Sequence, residues 1–138
     1  MINFKDSRLS IDGVEIAELD HYKLGFTLRG QTYAVRRTGS FAPLYELMRG
    51  EEALASAQEA LTRLRYVVTS GGRTWTLKPE QWIGYRYGLF DGETRVGGIT
   101  PASRFSIGKV ITIDLPENMP LETQVFLMWL LWWKWTAT

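Results

Sequence analysis

The sequence contains no cysteine and only one histidine. The lack of cysteine excludes disulfides, thiolate metal sites and cysteine nucleophiles, and it fits a reducing compartment. Without a cluster of histidine and cysteine residues, there is no basis for a zinc or iron site. We therefore expect a protein that binds no metal and no cofactor.

The sequence also lacks the motifs of common catalytic and nucleotide-binding sites. No G-x-S-x-G motif surrounds a serine, and neither G-x-G-x-x-G nor a Walker-type lysine motif occurs. His21 follows Asp20 at an expected strand start, where a surface role is favoured over a catalytic one. Glu51 and Glu52 lie at an expected turn, which favours solvated carboxylates over a general acid and base pair. We predict that the protein is not an enzyme.

Neither sign of charge is in excess, because 16 basic residues face 15 acidic ones and leave a formal net charge of +1. This balance gives no overall signal for nucleic acid or for a membrane surface. The first residues do not combine a basic region with an apolar stretch, so no secretion signal is expected and a cytoplasmic location is the default.

Turn signals that contain glycine recur about every 20 residues, each between two stretches of mostly alternating apolar residues. Glycine supplies the positive φ that two-residue hairpin turns require. Five hairpins, and hence ten strands, are predicted. The turns are Asp12-Gly13, Gly30-Gln31, Gly50-Glu51, Gly71-Gly72 and Asp91-Gly92.

Pairing outward from each turn separates a dry face from a wet face of the sheet. Around Gly71-Gly72, Val68 lies opposite Trp75 and Tyr66 lies opposite Leu77 on the dry face. Further pairs predicted for the dry face are Leu28 with Tyr33 and Tyr87 with Val96. Nucleic-acid binding would call for exposed aromatic residues on a basic face, so it is not expected here. The aromatic residues that these registers place on the dry face are Tyr33, Tyr66, Trp75, Tyr85 and Tyr87.

The weakest hairpin spans residues 44–58, where composition and spacing disagree. Glu, Ala, Leu and Gln dominate the segment, and Leu44, Leu47 and Leu54 fit a helical stripe. Gly50 in the middle and the regular spacing of the turns favour two strands. We favour strands over a helix.

One more β-branched segment, Arg104 to Leu115, adds one strand, or two if Gly108 kinks it. The total is then 11 or 12 strands. Sheets of this size protect their edges by closing. An eight-stranded barrel is just filled by its own side chains, so a barrel of this size has a wider bore that needs a filler.

The unbroken apolar run from Val125 to Trp133 supplies that filler. Asn118 is a candidate cap, Pro120 suits a first turn and Glu122 suits the positive end of a helix dipole, so a helix is expected over about residues 119–135. A helix that is apolar all round is buried in a core or in a membrane. The run is much shorter than the roughly 20 residues of a membrane span. We favour a central core helix over membrane insertion.

Three segments resemble the tubby C-terminal-like superfamily, which includes tubby domains, plant LURP-one-related proteins, phospholipid scramblases and small bacterial proteins of unknown function. They are R-Y-V-V-T-S-G-G-R-T-W-T-L, G-L-F-D-G-E-T-R-V-G-G-I and I-T-I-D-L-P-E-N-M-P-L-E-T-Q-V-F-L-M-W-L-L-W-W. The resemblance implies a mainly β fold, a closed antiparallel barrel of about 12 strands around a hydrophobic C-terminal helix. Residues 1–138 would form one domain, with strands over about 2–115. The calcium-binding and cysteine motifs of scramblases are missing.

The predicted registers place Arg65 opposite Lys78 on the wet face, with Arg63 two residues away. Opposed like charges are unfavourable by a few tenths of a kcal/mol unless an anion or an acidic neighbour screens them. Glu59 and Glu80 are the candidates for such acidic neighbours. The alternative is that Arg63, Arg65 and Lys78 bind an anionic lipid head group. The lipid association that the family resemblance implies is in line with this alternative.

The sequence therefore predicts a non-enzymatic binding or scaffold module whose partner is an anionic phospholipid head group or another protein. A protein-interaction barrel without a small ligand and a scramblase-like membrane-associated protein are the alternatives. The expected location is cytoplasmic, with peripheral contact to the membrane and no transmembrane span.

Overall fold

The computed structural model describes residues 2–5, 8–11, 13–20, 24–60, 65–80, 86–101 and 110–136. These described residues form twelve β-strands and one α-helix, α1, over Leu121–Thr136. The strands are β1 Ile2–Lys5, β2 Arg8–Ile11, β3 Val14–Asp20, β4 Gly25–Leu28, β5 Gln31–Thr38, β6 Leu44–Arg49, β7 Glu52–Glu59, β8 Tyr66–Ser70, β9 Arg73–Pro79, β10 Tyr87–Asp91, β11 Thr94–Pro101 and β12 Val110–Asp114.

The strands close into one antiparallel barrel in which each strand pairs with its neighbours along the chain and β1 pairs with β12. The predicted closed barrel of about 12 strands is confirmed. The twelfth strand is β1, which precedes the first hairpin. The described part of the segment that was predicted to add one or two strands forms one strand, Val110–Asp114. Gly108, the predicted kink, lies outside the described residues, as does His21.

Residues 44–58, whose composition favours a helix, form the predicted hairpin. β6 and β7 pair along their length, and Gly50 between them has a φ of 62°. The inward residues of both strands, such as Leu47 and Ala57, are completely buried. Burial on a pleated face thus overrides the helix propensity of the segment.

The predicted register around Gly71-Gly72 is confirmed, with Val68 opposite Trp75 and Tyr66 opposite Leu77. The register predicted for β4 and β5 is wrong. Both Arg29 and Gly30 have positive φ, 48° and 81°, so the two-residue turn lies one position earlier than predicted. As a result, Leu28 lies opposite Gln31, and Tyr33 lies opposite Phe26.

The predicted pair of Tyr87 and Val96 is also wrong. Tyr87 lies opposite Ile99, because the two-residue turn lies one position later than predicted, at Gly92-Glu93, and the register shifts by one more residue between Leu89 and Phe90. Val96 is consequently exposed. The aromatic residues predicted for the dry face are buried where they are described: Tyr33, Tyr66, Trp75 and Tyr87. Tyr85 lies outside the described residues.

Helix α1 fills the barrel, as predicted. Residues 125–131 are at most 1% exposed. The helix touches distant parts of the wall: the ring of Trp132 lies 6.2 Å from that of Phe4 on β1, and the ring of Trp135 lies 6.1 Å from that of Tyr87 on β10. Its 16 residues span about 24 Å at 1.5 Å per residue.

The start of the helix differs from the prediction that Asn118 is the cap. The helix begins at Leu121, and the carbonyl of Pro120 accepts hydrogen bonds from the backbone N–H groups of Thr123 and Gln124 at 3.0 and 3.1 Å. Pro120 therefore occupies the capping position itself. Within the described ranges, no helix has the length and apolar character needed to cross a membrane.

The antiparallel order gives the barrel two distinct ends. The five glycine-containing turns lie at one end, which we call the hairpin end. Helix α1 enters there, where the hydroxyls of Thr123 and Ser70, the last residue of β8, share a hydrogen bond of 3.0 Å. It finishes at the opposite end, which we call the exit end, where Lys134 meets Glu59, the last residue of β7.

Candidate functional site

The predicted anion site is described only in part. Arg63 lies outside the described residues, and Arg65 is exposed immediately before β8. Lys78 lies on β9, with its ammonium 4.5 Å from the centroid of the Phe90 ring. The described pairing of β8 with β9 begins at Tyr66, so Arg65 lies one residue beyond it. The site formed by Arg63, Arg65 and Lys78 stays a prediction.

The two carboxylates expected to neutralise this basic patch are held by other cations. Glu59 lies 3.3 Å from the ammonium of Lys134. Glu80 forms a short ion pair with the guanidinium of Arg95, which lies across the outer wall. Among the described residues, neither carboxylate forms an ion pair with Arg65 or Lys78.

The barrel separates its charges along its axis. Among the described residues, basic side chains outnumber acidic ones at the exit end, and acidic side chains outnumber basic ones at the hairpin end. The exit end carries Lys5, Arg8, Arg37, Arg65, Lys78, Arg86 and Lys134 against Glu18, Glu59 and Glu80. The hairpin end carries Glu15, Glu51, Glu52, Asp91, Glu93, Asp114, Glu117 and Glu122 against Arg29, Arg49, Arg73 and Arg95.

Ion pairs within the described part of the chain do not cancel the positive charge at the exit end. Lys134 pairs with Glu59 within the exit end, whereas Arg8 pairs with Glu15 and Glu80 pairs with Arg95 across the two groups. Lys5, Arg65 and Arg86 are exposed and have no described carboxylate within ion-pair distance. Although the net charge of the chain is +1, positive charge is thus concentrated at one end among the described residues.

Tyrosine rings surround the ion pair at the end of the helix. Glu59 is only 8% exposed and lies opposite Tyr66 in the pairing of β7 with β8. The ammonium of Lys134 lies 5.5 Å from the centroid of the Tyr66 ring. The pair and the ring contact compensate a carboxylate that would otherwise be desolvated without a counter-charge.

The tyrosines of this cluster are held in their neutral form. Burial raises the pKa of Tyr66 far above its usual value, and the negative charge of Glu59 raises it further. Burial, with a smaller effect of Glu59, raises the pKa of Tyr87 to about 12. Neither hydroxyl is therefore prepared to act as a base near neutral pH, and the cluster anchors the helix end to the wall.

An exposed phenylalanine stands at the exit end, in the loop of residues 39–43 between β5 and β6. The side chain of Phe41 is 77% exposed. The loop that carries it is fastened to β7: the Gln58 side chain donates to the carbonyl of Ala42 at 2.7 Å, and the Glu59 N–H donates to that of Pro43 at 3.0 Å. Sequence reasoning missed Phe41, although its place between two turn-forming residues, Gly39 and Pro43, was a usable signal.

The hairpin end carries an open groove of about 300 Å³ on the outer wall. It lies beside the irregular pairing of β2 with β3, and charged groups of both signs line it. Its lining residues are Glu15, Ile16, Ala17, Glu18, Thr27, Arg29 and Gly30. Over the described ranges, no group of three or more His, Cys, Asp or Glu residues converges to hold a metal ion.

Comparison with known proteins finds no matching family model, no matching curated protein and no matching solved structure. The resemblance to the tubby C-terminal-like superfamily therefore stays a prediction from the sequence. The features of the described residues that bear on function are the positive charge of the exit end and its exposed aromatic residue.

Proposed function

We propose that the protein is a non-enzymatic binding module that binds anionic phospholipid head groups, with Arg63, Arg65 and Lys78 among the contacting residues. The observation that carries the proposal is the concentration of exposed positive charge at the exit end. The resemblance to tubby-like proteins supports it. A cytoplasmic location with peripheral membrane contact belongs to the same proposal.

The strength of the proposed binding can be estimated from the number of basic residues that contact the membrane. Each lysine or arginine held near an anionic membrane contributes about 1 kcal/mol of attraction. Several basic residues at one end can contact the membrane together, so their contributions to the binding free energy add. Residues scattered over the barrel cannot do so. Because exposed charges are screened over about 8–10 Å at physiological salt, the binding should weaken steeply as salt is added.

The non-enzymatic part of the proposal rests on the ionisable groups of the exit end. The carboxylate of Glu59 is held by Lys134, and the hydroxyls of Tyr66 and Tyr87 keep their protons. Glu59 and Lys134 stabilise the fold as an ion pair, and neither tyrosine has a pKa suited to a general acid or base at pH 7.

Co-sedimentation with vesicles tests the head-group proposal. The wild type should sediment with vesicles of phosphatidylcholine and phosphatidylserine, and not with phosphatidylcholine alone. The double variant Arg65→Glu, Lys78→Glu should bind at least tenfold more weakly. The control is Arg49→Glu, Arg73→Glu, which makes the same charge change at the hairpin end and should bind like the wild type.

Equal binding of wild type and the Arg65→Glu, Lys78→Glu variant would overturn the proposed contact residues. If the wild type binds neither vesicle, the lipid proposal is wrong and a protein-interaction barrel is the hypothesis that replaces it. The scramblase-like alternative is tested by deleting residues 121–138. A membrane anchor predicts a folded barrel released from vesicles, whereas a core helix predicts loss of the fold.

A further inference from the structure

The exposure of Phe41 is built into the fold. A phenylalanine in water loses the favourable free energy of burial, so a loop free to rearrange would tend to turn the ring inward. Here the carbonyls on the C-terminal side of Phe41, those of Ala42 and Pro43, are held by hydrogen bonds from Gln58 and Glu59. The loop that carries the exposed ring is therefore fastened to the same strand end that anchors the helix through Glu59.

The surroundings of Phe41 are basic and aromatic. Arg37 lies two residues before the loop. Its Nε donates to the hydroxyl of Tyr45 at 3.3 Å, and its guanidinium lies 5.9 Å from the centroid of that ring. The last turn of α1, with Trp133 and Trp135 half-buried, finishes at the same end. Aromatic side chains together with lysine and arginine are the composition of surfaces that rest in the head-group region of a membrane.

The opposite end of the barrel makes the orientation unambiguous. Its acidic residues would be repelled by an anionic surface that attracts the exit end. The molecule is thus an electric dipole whose positive pole also bears the exposed ring. A planar anionic surface matches positive charge that is spread around a barrel rim better than a point-like ligand does.

We infer that the protein meets an anionic membrane end-on, with the exit end facing the lipid and Phe41 entering the interface. The axis of α1 then stands along the membrane normal, and the hairpin end points into solution. This inference rests on the proposed lipid function and adds to it the contact surface, an apolar anchor and the orientation.

A matched pair of variants tests the anchor. Phe41→Ser should weaken binding to vesicles of phosphatidylcholine and phosphatidylserine by about tenfold, since an inserted aromatic ring is lost. Val14→Ser is the control, because Val14 is 66% exposed at the hairpin end and should have no effect. High salt should abolish the binding of Phe41→Ser before that of the wild type.

The cysteine-free sequence allows a direct measurement of orientation. Phe41→Cys and Val14→Cys each supply one thiol for an environment-sensitive fluorophore. On anionic vesicles, the label at position 41 should shift its emission to the blue, and the label at position 14 should not.

The possible outcomes separate this inference from the proposed function. If the wild type does not bind anionic vesicles, both are overturned. If it binds and depends on Arg65 and Lys78, but Phe41→Ser binds equally well and the label at position 41 does not shift, only the end-on inference is overturned. A shift at position 14 in place of position 41 would reverse the orientation.

Discussion

The ammonium of Lys134 lies 3.3 Å from a carboxylate oxygen of Glu59, and this contact joins the last turn of the helix to the barrel wall. The two residues are 75 positions apart in the chain. Lysine near the C-terminus of a helix also opposes the negative end of the helix dipole. The ammonium of Lys134 thus neutralises the charge of the buried Glu59 carboxylate and also stabilises the C-terminus of the helix.

Removing Lys134 should cost more than removing the whole ion pair. Lys134→Met leaves Glu59 nearly buried without its counter-charge, and the free energy of unfolding should fall by about 2–3 kcal/mol. The double variant Glu59→Gln, Lys134→Met should recover about 1 kcal/mol or more of that loss. Urea denaturation measures both values. Losses that simply add would show that the two charges do not depend on each other.

The buried tyrosines predict a loss of stability at high pH. Tyrosine has a pKa of about 10 when unfolded, whereas the pKa of Tyr87 is raised to about 12 and that of Tyr66 is raised as well. Above pH 10 the unfolded chain releases protons that the folded chain retains, so the free energy of unfolding falls as pH rises from about 10 to 12. The slope is at most about 1.4 kcal/mol per pH unit for each tyrosine.

This pH dependence can be measured by urea denaturation at intervals between pH 8 and 12. The double variant Tyr66→Phe, Tyr87→Phe should lose most of the slope, because phenylalanine has no proton to release. An unchanged slope in that variant would assign the effect to other groups.

Two phenylalanines in opposite surroundings give a matched test of the core. Phe126 in α1 is fully buried, whereas Phe41 is 77% exposed. Phe126→Ala should lower the free energy of unfolding by about 3–5 kcal/mol, and Phe41→Ala should change it by at most about 0.5 kcal/mol. Thermal and chemical denaturation check the comparison. Similar losses in both variants would be incompatible with a central helix.

The hydrogen bond between Ser70 and Thr123 predicts a non-additive effect at the hairpin end. Both side chains are buried, so Ser70→Ala leaves the hydroxyl of Thr123 without this partner and should cost about 1–2 kcal/mol. Adding Thr123→Val removes the second polar group as well, and the double variant should be more stable than the sum of the single losses predicts. Strict additivity in a double-mutant cycle would contradict a direct bond.

The fold could be predicted from the sequence because its main signals are local. Glycine at regular intervals, alternating residues on each side of it and one continuous apolar run together require a closed barrel with a filler. The registers were less predictable. Arg29 adopts a positive φ that the sequence does not demand, and an irregularity between Leu89 and Phe90 shifts the pairing of β10 with β11.

The exit end was less accessible to sequence reasoning. The pairing of Glu59 with Lys134 exists only after barrel closure brings the end of β7 to the end of the helix. The concentration of positive charge there is also invisible in the overall composition, since acidic residues at the hairpin end offset it in the total. The sequence did favour Arg65 and Lys78, because the hairpin around Gly71 is local enough to predict.

The order of the elements constrains how this chain is made. The ribosome synthesises every strand before the helix around which those strands close, and β1 must wait for β12 before the sheet can close. While the strands emerge they have no interior to bury, and their edges are open to pairing with other chains. Folding is therefore expected to be a late event rather than a gradual one, because the barrel lacks its filler until α1 has been synthesised.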